Sequence, residues 1–330
     1  MLVGKIKPKH HYIKQNVNGS VILNGNDISS DYYITFRINN KCNLSCEYCH
    51  WYDGDNFKLN DIKETIDNIL LFGVKKNFKV MTFYFHGGEP SFHPNVIEIL
   101  EYIRIKEKES NIRLIIEFQT NLSLSNYKEI SSIVDFFDVS YHYLELKKKN
   151  KLKIFENNLY ALDKSKLLNL DIMLENIEDE TELNVFYDNV KKYIELPFQN
   201  SEMIYGFFNY KFNEKTKRTH IEFYKKYNKT QQTYLIDDLV YNTNDLFEKG
   251  LNCKDMLCEV GKKNIIINGN GDIYMCGAET TDFKNYSINP FSNIRTEKDA
   301  INKLIIKSKS GTICKWDYCG GEFYLGKKLK

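Results

Sequence analysis

The chain has 330 residues, 42% of them hydrophobic and 14% aromatic, with a formal net charge of +2. Such a composition supplies the core of one large domain and a small appendage, and its near-neutral charge argues against general coating of nucleic acid. No run approaches the roughly 18 apolar residues of a membrane span, and the lysine-bearing start lacks the apolar centre of a signal peptide, so a cytoplasmic location is expected.

In chain order, residues 1–30 are expected to form a β-hairpin extension turning at Asn18-Gly19, since both residue types accept positive φ. The run "YYITFRI" (32–38) reads as a strand, "CNLSCEYCHW" (42–51) as a loop, and "LNDIKETIDNILLFG" as a helix that Gly73 ends. The strand, loop and helix unit then recurs. "VMTFYFHGGEP" leads to "NVIEILEYIRIKEKE", "IRLIIEFQTNLS" to "NYKEISSIV", and "FFDVSYHYLEL" to a helix around "FENNLYALDKS". "LNLDIMLEN" leads to "ELNVFYDNVKKYI", and "EMIYGFFNY" to "THIEFYKKYN". Six such units predict an α/β fold with a parallel sheet covered by helices, whose chemistry sits at the carboxyl ends of the strands. The three most unusual loops, "CNLSCEYC", "HGGEP" and "QTNLS", all fall there. Polar residues around "YNTNDLFEKGLN" interrupt the pattern, which divides the chain into an extension (1–30), a core (31–245) and a C-terminal domain (246–330). In that last domain "CEVGKKNIIINGNGDIYMCG" predicts two short strands joined by a turn at Asn268 to Gly271.

Eight cysteines at short spacings in a reducing compartment point to metal ligation rather than disulfides. They fall into three groups: Cys42, Cys46 and Cys49; Cys253, Cys258 and Cys276; Cys314 and Cys319. The first group is one thiol short of a closed tetrahedral site. Zinc would be satisfied by a fourth ligand such as His50 or His86, but zinc gives no reason for the Gly87-Gly88-Glu89-Pro90 loop at the next strand end.

C-x3-C-x2-C after the first strand, with Tyr48 just before its last cysteine, and G-G-E-P after the second strand resemble the radical S-adenosylmethionine (radical SAM) superfamily over residues 30 to 230. The resemblance implies a partial (β/α)6 barrel in which Cys42, Cys46 and Cys49 hold three irons of a 4Fe-4S cluster. The fourth iron is left open for the amino and carboxylate groups of S-adenosylmethionine, and reductive cleavage then yields a 5′-deoxyadenosyl radical. It further implies that Gly87, Gly88, Glu89 and Pro90 flank the methionyl amino group and that Tyr48 lies near the adenine. Thr120, Asn121 and Ser140 are candidates for the ribose or carboxylate, with strand-end capping as their alternative role. A reducing partner such as flavodoxin or ferredoxin, and sensitivity to oxygen, follow from the same resemblance.

The hairpin with its flanking cysteines is similar to the start of a SPASM or Twitch extension. Five cysteines favour the shorter Twitch form with one auxiliary 4Fe-4S cluster on Cys258, Cys276, Cys314 and Cys319; zinc shares the same ligands, and Cys253 is either spare or an alternative ligand. His142 and Glu145 are candidates for binding substrate or moving a proton if the fourth strand persists through them. The lysine run "KKKNKLK" (147–153) either steers an anion or is a solvated charge run. The main expectation is a radical SAM enzyme acting on a small molecule such as a sugar or nucleotide. The first alternative is a maturase of a peptide or protein side chain, set second because the N-terminal extension is too short for a winged-helix leader-binding domain. A non-cleaving iron-sulfur binding or electron-transfer protein is the alternative of another class.

Overall fold

The computed structural model describes residues 6–8, 20–23, 26–46, 49, 53–174, 180–194, 201–205, 233–236, 239–242, 257–258, 261–262, 264–275, 290–310 and 312–313. Its core is a parallel sheet of β1 (Tyr32–Arg37), β2 (Val80–Phe85), β3 (Arg113–Thr120), β4 (Phe136–Tyr141), β5 (Leu167–Leu174) and β6 (Ser201–Tyr205). Each strand pairs in parallel with the one before it, in strict sequence order. That order is the outcome of repeated right-handed crossovers that never reverse direction. The parallel sheet is the one that six β/α units predict, and the architecture is the partial barrel that the resemblance implies.

The connecting helices α1 (Leu59–Lys75), α2 (Val96–Glu109) and α3 (Tyr127–Ile133) bury residues at intervals of three and four: Ile62, Ile66, Ile69 and Leu70 on α1, and Val96, Ile99, Leu100 and Ile103 on α2. They cover one face of the sheet, where Tyr32, Ile34, Phe36, Met81, Phe83, Phe85, Leu114, Ile116 and Phe118 are fully buried. Tyr32 packs edge-on to Phe72 of α1 and stacks on Phe78.

The strands look continuously apolar in sequence, yet the opposite face is polar because side chains alternate along a strand. There Tyr33 donates to Glu117 at 3.0 Å and Tyr84 to Asp138 at 3.0 Å. Burial and the neighbouring carboxylates push both phenols well above their ordinary range, so each stays a protonated donor.

After β4 the chain does not continue as a strand. It turns at His142 into α4 (Tyr143–Lys148), followed by α5 (Leu152–Ala161), and α6 (Glu180–Ile194) links β5 to β6. The predicted C-terminal hairpin forms from β7 (Asn264–Asn268) and β8 (Asp272–Tyr274), turning through Gly271 at φ +90°, and a short β9 (Ser292–Asn293) follows. This hairpin extends the core sheet, β7 running parallel to β1 with Asn264 opposite Tyr33 and Asn268 opposite Arg37. Arg295 fastens its turn to α1 through Asp61 at 2.7 Å and Glu64 at 2.9 Å, and α7 (Ala300–Lys307) follows.

In the N-terminal extension Ser20–Leu23 pairs antiparallel with Asn26–Ser29, and the turn expected at Asn18-Gly19 lies outside the described residues. The helix expected over "THIEFYKKYN" lies outside the described residues. Among the described residues no helix is long and apolar enough to cross a membrane.

Candidate functional site

Beyond β1 the chain forms a two-stranded ribbon, Asn39–Lys41 against Asp53–Asn56, which closes the base of the cysteine loop. The G-G-E-P loop after β2 lies directly on this ribbon. Gly88 N–H donates to the Asn39 carbonyl at 3.3 Å and Glu89 N–H to that of Lys41 at 2.9 Å, while the fully buried Asn39 amide donates to the carbonyls of Lys41 and Glu89 at 3.1 and 2.9 Å. Both glycines are required by this approach. A Cβ at Gly87, where φ is +126°, would meet the Asn39 carbonyl oxygen at 2.6 Å, and one at Gly88 would run into the Lys41 backbone at 2.6 and 2.7 Å.

Glu89 is buried and accepts from four donors: Ser91 N–H at 3.2 Å, the Ser91 hydroxyl, the Thr120 hydroxyl at 2.8 Å and Asn121 N–H at 2.7 Å. Burial raises its carboxyl above the ordinary range while these bonds oppose the shift. Glu89 thus joins the ends of β2 and β3, and Pro90 opens the short turn that leads to α2. Asn121 continues the chain of contacts, donating to Asn43 at 2.9 Å, and Asn43 donates to Ser123 at 2.6 Å. Thr120 and Asn121, expected near the cofactor, therefore already bond within the protein, while Ser140 is buried on β4 opposite Asp171.

Cys42, Cys46 and Cys49 lie on one loop, Cys46 buried and the other two half-buried. Cys42 accepts from Leu44 N–H at 3.3 Å, and burial with the nearby Glu89 pushes its thiol up to about 12. Cys49 N–H bonds the Cys46 carbonyl at 2.9 Å, turning the loop between the two. Cys46 Sγ lies 3.6 Å from Nδ1 of His142. Tyr48 and His50 lie outside the described residues.

The segment after β4 holds the loop from its other side. Glu145, in the first turn of α4, accepts from Ser45 N–H at 3.2 Å and pairs with Lys148 at 3.1 Å. Lys149 donates to the Asn43 carbonyl at 3.2 Å and the Ser45 hydroxyl at 3.1 Å, and Lys151 to the Ser123 carbonyl at 3.1 Å. The lysine run is in part a clamp on the cysteine and Asn121 loops. Asn39 had no signal in the sequence, and Asn43, Ser123 and Lys149, though inside stretches singled out there, had none that distinguished them from their polar neighbours.

Three thiols on one short loop suit an iron-sulfur cluster, which binds each thiolate to a different iron. Among the described residues no three His, Cys, Asp or Glu side chains gather as ligands of an ion. His86 has its Nδ1 buried without a hydrogen-bond partner, and burial together with Arg37 lowers the imidazole to about 3, so the ring is neutral. Of the C-terminal cysteines, 253, 276, 314 and 319 fall outside the described residues, and Cys258 pairs by its backbone with Thr312.

Residues 36–144 match the family described as the Radical SAM superfamily. An uncharacterized protein of Methanocaldococcus jannaschii is 32% identical over 99 residues, 29% of this chain, so the match spans 32% of that relative's length. Native anSMEcpe with bound AdoMet superposes with a TM-score of 0.56 at 15% identity over 84% of this chain and 82% of its own. Native anSMEcpe with bound AdoMet and Cp18Cys peptide gives 0.50 at 15% over 84% and 82%. Such low identity establishes the fold. The expectation of a small-molecule substrate is overturned in favour of the peptide alternative: among solved structures that share this fold at a TM-score of 0.50 are two of anSMEcpe held with peptides, Cp18Cys and Kp18Cys. The three-thiol loop and the G-G-E-P loop packed on its base both lie within residues 36–144, the segment that matches the Radical SAM superfamily.

Proposed function

We propose that the protein is an AdoMet-cleaving radical enzyme that modifies a side chain of a peptide or protein in the cytoplasm, reduced by a low-potential flavodoxin or ferredoxin. The observation that carries the reading is the cysteine loop at the carboxyl end of the sheet, clamped between Glu89, Asn121 and Glu145. The fold shared with peptide-bound anSMEcpe supports the substrate class. When bound, a 4Fe-4S cluster and AdoMet supply an electron and a 5′-deoxyadenosyl group that removes a hydrogen atom from substrate.

The chain's own residues prepare that site. Cys42, Cys46 and Cys49 would hold the cluster, and the two glycines bring the G-G-E-P backbone against it. Tyr48, Gly87, Gly88 and Pro90 would flank AdoMet, with Ser140 facing the same mouth; Thr120 and Asn121 act through the loop they tie. The Tyr33–Glu117 and Tyr84–Asp138 pairs order the polar face of the sheet, away from the helices.

A second cluster on Cys258, Cys276, Cys314 and Cys319 would accept the electron that the substrate radical gives up, with loss of a proton, as it becomes the oxidised product. Two facts support that set: Cys258 pairs with Thr312, two residues before Cys314, and β8 ends at Tyr274, two residues before Cys276. On this reading the C-terminal domain begins near residue 246.

The test is 5′-deoxyadenosine formation by anaerobically reconstituted protein given dithionite and AdoMet, with short Ser- and Cys-containing peptides added. Peptide-stimulated formation with loss of two hydrogens from the peptide mass is expected, and Cys46→Ala should abolish it. A loaded protein that forms no 5′-deoxyadenosine with or without peptides would overturn the reading.

A further inference from the structure

We propose that His142 donates a hydrogen bond to the Cys46 sulfur and so raises the reduction potential of the cluster held there, acting as a positioning residue through a ligand rather than on substrate. This rests on the cluster assigned above to Cys42, Cys46 and Cys49. β4 ends at Tyr141 and the chain leaves the sheet at His142 (φ −109°, ψ 79°) to enter α4, which sets the imidazole against the cysteine loop with Nδ1 3.6 Å from Sγ. A ligating thiolate only accepts, so the nitrogen facing it carries the proton.

The orientation is fixed from two sides. Glu145, three residues on, takes the N–H of Ser45, the residue before Cys46. The ring and the ligand are therefore held by the same short helix. Cys46 is 4% exposed, the one buried thiol of the three, so little water screens the N–H dipole. A dipole aimed with its positive end at sulfur favours the cluster state that carries the extra electron, and hydrogen bonds to sulfur are among the factors that set cluster potentials. Neither a solvated strand end nor a substrate-binding role requires this contact.

The experiment is a potentiometric titration of the anaerobically reconstituted protein, followed by electron paramagnetic resonance on the signal that AdoMet perturbs. His142→Phe removes the donor and should shift the midpoint to more negative potential. His142→Asn places an amide N–H where Nδ1 stood and should recover most of the shift. A wild-type protein that shows no AdoMet-sensitive signal would defeat the cluster assignment itself. A normal wild-type signal with unchanged midpoints in both variants, or with equal shifts in both, would overturn the role of His142. Should the Phe variant not load iron, His142→Ala takes its place; if none of the three variants loads, the residue serves the loop's fold and the tuning role is refuted.

Discussion

Gly88→Ala tests the packing that brings the G-G-E-P loop to the cysteines. The new Cβ would stand 2.6 Å from the Lys41 carbonyl carbon and 2.7 Å from its nitrogen, and backbone cannot swing aside as a side chain can. Overpacking of this kind costs about 1–3 kcal/mol, and the displacement strains two backbone bonds, Gly88 to Asn39 and Glu89 to Lys41, at about 1 kcal/mol each. The sum is roughly 3–5 kcal/mol, a large part of the ~5–15 kcal/mol that holds a typical domain folded. Because Lys41 precedes Cys42, iron loading should fall with stability. Urea unfolding of the apoprotein and iron-to-protein ratio after reconstitution are the readouts. Gly73→Ala is the control: it meets the Sδ of Met81, the movable end of a side chain, and gains about 1 kcal/mol of helix propensity. It should stay within about 1 kcal/mol of wild type. A Gly88→Ala protein as stable as wild type, with full iron, would refute the contact-driven account of these glycines.

Glu89→Gln sets an amide against the N–H of Asn121 and should cost about 1–3 kcal/mol in the same unfolding assay, with slower iron incorporation. Acid titration should expose His86. In the unfolded chain it takes a proton below its ordinary 6.5, but the folded ring stays neutral to about 3, so its contribution is complete well above pH 6.5 and is lost as pH falls toward 3. At pH 5 the loss is about 2 kcal/mol, and His86→Gln should flatten that part of the stability profile; an unaltered profile would contradict it. Cys276→Ala should remove roughly four irons per chain while leaving some AdoMet cleavage without peptide oxidation, and an unchanged iron content would rule Cys276 out as a ligand.

The cysteine array, the G-G-E-P loop and the alternation of strands and helices are legible in the sequence because each is local. Thiol spacing, paired glycines and apolar periods of about 3.6 are written in neighbouring residues. The hairpin at Asn268 to Gly271 is legible for the same reason, its glycine sitting at φ +90° where other residues are strained.

The rest required tertiary structure. "SYHYLEL" alternates as a strand would, yet it also carries Tyr143 and Leu146 at helical spacing, and both are buried once α4 forms. That choice takes His142 and Glu145 out of the strand and puts them against Cys46 and Ser45. The clamp of Asn39, Glu89, Asn121 and Asn43 joins residues as many as 80 positions apart, and no local pattern marks a polar group whose partner is that distant. Sequence alone determined which atoms can bind the cluster; the pairing of distant strand ends decided what holds those atoms in place.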